Sequence, residues 1–130
     1  MADPLHVELV AAERVVWSGE ATIVITRTAD GDIGIMPNHA PILSVLVEGT
    51  VEIRTDSDEY LVAAVGSGFV SVANNRVSLL VEHAELSGDI DVDRARRELE
   101  QAEAADRSDE RQQVAAREAQ ARIRAVEKAT

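Results

Sequence analysis

The chain has 130 residues, 45% of them apolar but only 2% aromatic, with no cysteine and a formal charge of −11. One compact domain, or a small domain with an appendage, fits that length, and its core must come from Val, Ile, Leu and Ala. Disulfides, thiolate metal sites and a membrane-spanning run of about eighteen apolar residues are all excluded.

Charge is unevenly spread. Residues 1–89 hold fourteen acids against four arginines, a balance of −10, and residues 90–130 hold ten acids against nine bases, a balance of −1. Nucleic acid is therefore a poor partner for the first part, since phosphates require cationic footprints. A single lysine, Lys128, leaves no Walker-type phosphate loop. Met1-Ala2-Asp3-Pro4 has neither the basic nor the apolar region of a leader, so a soluble cytoplasmic protein is expected.

Leu5 to Leu9 alternates apolar and polar residues, the period of a half-buried strand. Residues 14–18 and the β-branched run 21–26 follow, punctuated by Gly19 and the Asp30-Gly31 turn. The next stretch, Gly31 to Pro41, is the most constrained of the chain. Its two glycines supply backbone freedom and its two prolines remove it, so it reads as a tight turn, a short strand and a stiff corner. Residues 42–47, 51–54, 60–65, 69–72 and 77–81 are further strands, the last two joined by an Asn74-Asn75 hairpin. Roughly nine or ten short strands with turns between them predict a flattened antiparallel β-sandwich.

Composition changes at Gly88. From Asp91 onward there is no glycine and no proline, and helix formers dominate. Val92, Ala95, Leu99 and Ala102 mark one helix face, and Ala116, Ala119, Ile123 and Val126 a second, with an apolar-free turn at residues 106–110. An antiparallel helical hairpin follows, giving a sandwich domain over 1–88 and a hairpin over 89–130. Its large apolar side chains are few: Val92, Leu99, Val114, Ile123 and Val126. Each contributes about 1.5–3 kcal/mol when fully buried, against about 1–2 kcal/mol per residue for ordering the backbone. Pairs such as Asp93/Arg97, Glu103/Arg107 and Glu118/Arg122 add only about a few tenths each. A marginal, mobile hairpin is expected unless it docks.

His39 invites a catalytic reading, but no Ser or Cys nucleophile accompanies it, and a general base needs a partner and a pocket. It is read as a structural group at the proline corner. His6, His39 and His83 show no ligand spacing for a metal. Trp17 and Phe69 are read as core or interface.

Three motifs carry a resemblance. Gly31-x-x-Gly34-Ile35-x-Pro37-x-His39-Ala40-Pro41, Gly68-Phe69-Val70-x-Val72-x-x-Asn75-x-Val77-x-Leu79-Leu80 and Ile90-Asp91-Val92-Asp93-Arg94-Ala95 together resemble the bacterial type of ε subunit of F-type ATP synthases. The resemblance runs from about Leu5 to Val126 and implies a noncatalytic central-stalk subunit. Such a subunit binds the γ subunit and the c-ring, peripheral to the membrane on its cytoplasmic face and without inserting into it. Proton flow is thereby coupled to ATP synthesis. The hairpin can extend toward the catalytic β and α subunits and inhibit hydrolysis, with Arg111, Arg117, Arg122, Arg124 and Lys128 as its basic face. No cofactor is required. ATP is implied as a regulatory ligand at Glu85, Ile90, Asp91, Arg94, Ala95 and Arg122, although Glu118 and Gln101 stand where nucleotide binders of the family carry arginine. Asp32 falls on the position that faces the c-ring. A free-standing nucleotide-sensing module is the alternative from another class.

Overall fold

The computed structural model describes residues 3–130; Met1 and Ala2, part of the start that was read as leaderless, lie outside the described residues. Eight strands come first: β1 (Leu5–Ala11), β2 (Arg14–Thr28), β3 (Gly31–Ile35), β4 (Ile42–Thr55), β5 (Tyr60–Val65), β6 (Gly68–Ala73), β7 (Arg76–Val81) and β8 (Ala84–Leu86). A 3₁₀ turn over Ser87–Asp89 leads to α1 (Val92–Ala104) and α2 (Glu110–Ala129).

The expected nine or ten strands count two of these twice. β2 and β4 run through Gly19 and Gly49 without stopping, so those glycines are not strand ends. Each long strand serves both layers of the sandwich. The first half of β2 pairs with β1, and its second half pairs with β3 and the second half of β4. β4 in turn pairs first with β6 and then with β5. Strands that cross between layers need bends, and the β2–β4 register slips between Ala21 and Ile23 and again between Thr26 and Thr28. One layer is therefore β2-β1-β7-β6-β4 and the other β3-β2-β4-β5-β8. The pairing is not wholly antiparallel, because β1 and β7 run parallel from His6↔Arg76 to Ala11↔Val81. β1 and β7 are separated by five strands, so no hairpin constrains their direction. β8 escaped the sequence reading because it is three residues long and carries Glu85.

Alternation places Leu5, Val7, Leu9, Val70, Val72 and Leu79 fully inside, between the layers. The proline corner is tied to the β6–β7 turn: Asn75 accepts from the Asn38 amide at 2.6 Å, and Asn38, Asn74 and Asn75 all hold positive φ. His39 donates from Nδ1 to the Ala40 carbonyl at 2.7 Å, which is the structural role expected of it.

Both helices are capped by aspartate. Asp91 accepts from the Arg94 amide at 3.1 Å, and Asp109 from the Arg111 amide at 3.0 Å. Between the helices, the amide and hydroxyl of Ser108 donate to Asp106 and hold its carboxyl below the usual range. The hairpin is docked. Its buried residues are alanines, Ala95, Ala102, Ala119, Ala121 and Ala125, whereas Val92, Leu99, Val114, Ile123 and Val126 are only half-buried. Small side chains let α2 lie close on the sandwich, where Ala121 and Ala125 meet Val62, Ala64 and Ile90. Among the described residues the three expected helix pairs do not form. Arg122 reaches Glu85 and Glu118 meets His83, while α1 pairs Arg94 with Glu98 and Arg96 with Asp93. For Glu118 and Arg122, longer-range partners on the sandwich outcompete the helical neighbour, whereas Asp93 takes the helical neighbour Arg96 instead of Arg97.

Candidate functional site

Three surfaces carry the candidate residues. The first is the outer face of the β2-β1-β7-β6-β4 layer. Successive registers place Val15 opposite Val10, Val10 opposite Leu80, Leu80 opposite Phe69, and Phe69 opposite Val45. Five apolar side chains thus cross five strands in one row. Val15, Leu80, Phe69 and Val45 are each about half exposed or more, at 57, 52, 53 and 49%. A shallow groove of about 580 Å³ runs along Val10, Val45, Gly68, Phe69 and Leu80. A contiguous exposed apolar patch of this kind marks a contact surface. Sequence reasoning singled out only Phe69 of this row. The available signal was broken alternation, since Leu80 follows inward Leu79 and Phe69 precedes inward Val70.

The second surface lies where α2 meets the sandwich. Four of the six residues expected at a nucleotide come together there: Glu85, Asp91, Arg94 and Arg122 line a cavity of about 200 Å³ with Asp89 and Glu98. Ile90 and Ala95 do not line it. Ile90 packs against the Val62–Ala125 cluster and Ala95 is buried in the hairpin. Both guanidiniums are already engaged, Arg122 Nε with Glu85 at 2.8 Å and Arg94 Nε with Glu98 at 3.4 Å. Four carboxylates against two occupied arginines set this cavity against a polyphosphate.

The basic residues of α2 do not form one free face. Arg117 reaches Glu48 at 3.4 Å, Arg122 reaches Glu85, and Lys128 reaches Glu52 at 3.0 Å. Arg111 has a side chain 92% exposed and, among the described residues, pairs only with its neighbour Asp109, at 3.6 Å. Arg124 is exposed.

Glu52 couples the end of α2 to pH. Burial works against its charge, but the Tyr60 hydroxyl and the Lys128 ammonium outweigh it and hold the carboxyl below its ordinary value of 4.5. Burial first, and then Glu52 itself, push Tyr60 up to about 12. A carboxyl depressed on folding contributes stability above its unfolded pKa and loses it as pH falls through the folded one. Tyr60, raised on folding, contributes below its ordinary value of 10 and loses it as pH climbs toward 12. The last turns of α2 are therefore expected to show amide protection, relative to the intrinsic exchange rate at each pH, that is highest between about pH 5 and 9 and falls below about pH 4. Glu52→Gln should abolish that acid dependence; an unchanged profile would show that Lys128 is held otherwise.

The third surface is the β3 edge, where Asp32 is 70% exposed and stands 3.8 Å from Arg27 Nε. Among the described residues no group of three or more His, Cys, Asp or Glu is placed to hold a metal ion, and no helix is long and apolar enough to cross a membrane.

The family described as "ATP synthase, Delta/Epsilon chain, beta-sandwich domain" matches residues 4–87. The chain belongs to this family. Its curated relatives extend the match into the helices. The ATP synthase epsilon chain of Streptomyces avermitilis is 57% identical over 126 residues, covering 97% of this chain and 98% of the relative. That of Streptomyces coelicolor is 62% identical over 102 residues, 78% of this chain and 82% of the relative. Two solved assemblies share the fold. A chain of the Euglena gracilis mitochondrial ATP synthase (OSCP/F1/c-ring) superposes with a TM-score of 0.79 at 20% identity, covering 97% of this chain and 81% of that one. A chain of the Tetrahymena thermophila mitochondrial ATP synthase (central stalk/c-ring) gives 0.63 at 18% identity, covering 99% and 98%. The epsilon-chain family is therefore established on sequence, and the same fold recurs in chains of two mitochondrial ATP synthases.

Proposed function

We propose that the chain is a noncatalytic rotor subunit of an F-type ATP synthase, peripheral on the cytoplasmic face of the bacterial membrane, and that its exposed apolar row receives the γ subunit. The row Val15–Val10–Leu80–Phe69–Val45 carries this reading, because a half-exposed apolar stripe across a rigid layer has no structural use in an isolated chain. Homology to epsilon chains supplies the partner class. Co-purification tests it: tagged γ subunit should retain this chain through washes at high salt, since apolar contacts are not screened. Loss of the complex on raising salt would count against the row.

Asp32 offers the c-ring a carboxylate on an exposed edge, in a sandwich whose fold does not depend on it. Asp32→Lys is expected to lower proton-driven ATP synthesis several-fold while leaving the melting temperature within about 1–2 °C. Undiminished synthesis would remove Asp32 from the coupling contact.

The hairpin is read as the regulatory part. Its hold on the sandwich consists of a small alanine contact and the pairs Arg117–Glu48, Arg122–Glu85, Lys128–Glu52 and Glu118–His83, each with one partner 37% or more exposed and worth about 0–1 kcal/mol. A weak hold of that kind suits an element that extends toward the β and α subunits. Deleting residues 90–130 is expected to raise ATP hydrolysis by the assembled complex about two- to fivefold, a barrier change of under about 1 kcal/mol. Hydrolysis equal to that of the intact complex would end the inhibitory reading. A free-standing nucleotide sensor is less favoured, since the carboxylate majority around Arg94 and Arg122 opposes the ligand it needs.

A further inference from the structure

Docked α2 has two flanks. Glu118 and Arg122 edge one of them, beside the carboxylate-rich cavity. On the opposite flank a second cavity, of about 240 Å³, opens between α2, β2 and β4. Its charged lining is Arg27 from β2, Glu48 from β4, and Arg117 and Arg124 from α2. Three guanidiniums therefore face one carboxylate, in a chain whose formal charge is −11. Arg117, Ala121 and Arg124 follow one another at helical spacing, so both arginines project along a single edge of α2.

Existing partners satisfy this cluster poorly. Arg117 meets the two oxygens of Glu48 at 3.4 Å each, and Arg27 Nε stands 3.8 Å from Asp32, both looser than a good charge-assisted bond. Arg124 has no carboxylate within ion-pair distance among the described residues, and Gln120 adds a side-chain amide to the same wall. Like charges around an open space repel, and a compact dianion there would relieve that repulsion. Guanidinium is the side chain best shaped for phosphate, through paired parallel N–H bonds.

We propose that this cavity binds a phosphate group, as the free ion or as a phosphomonoester, and thereby clamps α2 to β2 and β4. Glu48 keeps Arg117, while Arg27 and Arg124 supply the bridging donors. Because the two bridging arginines sit on different elements, a phosphate bound between them favours the docked hairpin over the released one by mass action.

The full chain is titrated with inorganic phosphate and, separately, with glycerol 3-phosphate, replacing chloride at constant ionic strength and following amide shifts and amide exchange. Saturable shifts are expected at Gly49, Gln120 and Ala121, with slower exchange along α2. Saturation by inorganic phosphate assigns the free ion as sufficient, and saturation by the ester alone assigns a phosphomonoester. Arg124→Gln and Arg27→Gln should each weaken the saturation about tenfold or more, the loss of one charge-assisted bond. Arg97→Gln, an exposed change on α1, should not alter it. Linear shifts that never saturate, or saturation untouched by both cavity variants, would overturn the proposal. The wild-type titration decides this even where a variant fails to fold.

Discussion

Replacing Leu80 with glutamate is expected to leave the sandwich folded and to weaken γ-subunit binding about thirtyfold or more. Leu80 is 52% exposed, so the change removes little from the core, whose nearest contribution is the inward-facing Leu79 on the same strand. An exposed substitution of this kind alters stability by about 0.5 kcal/mol or less. At the proposed γ contact the balance reverses. Leu80 stands at the centre of the row, with Val10 and Val15 on one side and Phe69 and Val45 on the other. A carboxylate there would have to lose its water against four apolar neighbours, and a central contact residue commonly carries about 2 kcal/mol or more. Affinity measured with immobilised γ subunit gives the answer, and a thermal melt of the isolated variant confirms its fold. Phe69→Ser repeats the test from the adjacent strand. Unchanged affinity in both folded variants would show that γ docks elsewhere.

The same row explains what the sequence did and did not make legible. Strands with one buried face announce themselves by alternation, so Leu5–Leu9 was readable as β1 and its inward residues are those the period requires. Phe69-Val70 and Leu79-Leu80 break the period, and a lone sequence cannot say which member of each pair faces the core; only the register across β6 and β7 does. Strand length failed for a different reason. Gly19 and Gly49 look like stops, but two crossing strands of a small closed sandwich continue through them and bend at neighbouring bulges. In the helices, the intervals of Val92, Leu99, Ile123 and Val126 were visible, yet the docking face is Ala121 and Ala125, whose small side chains carry almost no hydrophobic signal. The sandwich partners of Arg117, Arg122 and Lys128 lie 69, 37 and 76 positions away in sequence, beyond any helical pairing rule. Of the six residues expected at a nucleotide, Glu85, Asp91, Arg94 and Arg122 converge on one cavity, whereas Ile90 and Ala95 do not line it. The charge balance of that cavity was not legible, since Asp89 and Glu98 join the four only through the fold.

Gly68→Ala is expected to destabilise the chain by about 3 kcal/mol or more and to lower its melting temperature by roughly 10 °C. Gly68 sits in β6 between Leu46 of β4 and Val81 of β7. A methyl group added there would lie 1.9 Å from the Leu80 carbonyl oxygen and 2.7 Å from the Val81 Cα. Both obstacles are backbone, so no rotamer change clears them; β6 and β7 must part, with loss of ladder hydrogen bonds beneath the apolar row. Against a typical domain stability of about 5–15 kcal/mol this is a large fraction. Gly34→Ala is the matched control, since an added methyl meets nothing within 4 Å and the backbone is not in the left-handed region. Denaturant melts of the two variants should separate by their midpoints with unchanged slopes. Because Gly68 adjoins Phe69 and pairs beside Leu80, Gly68→Ala should also weaken γ binding, whereas Gly34→Ala should not. Equal midpoints would mean that β6 and β7 approach each other less closely than this register requires.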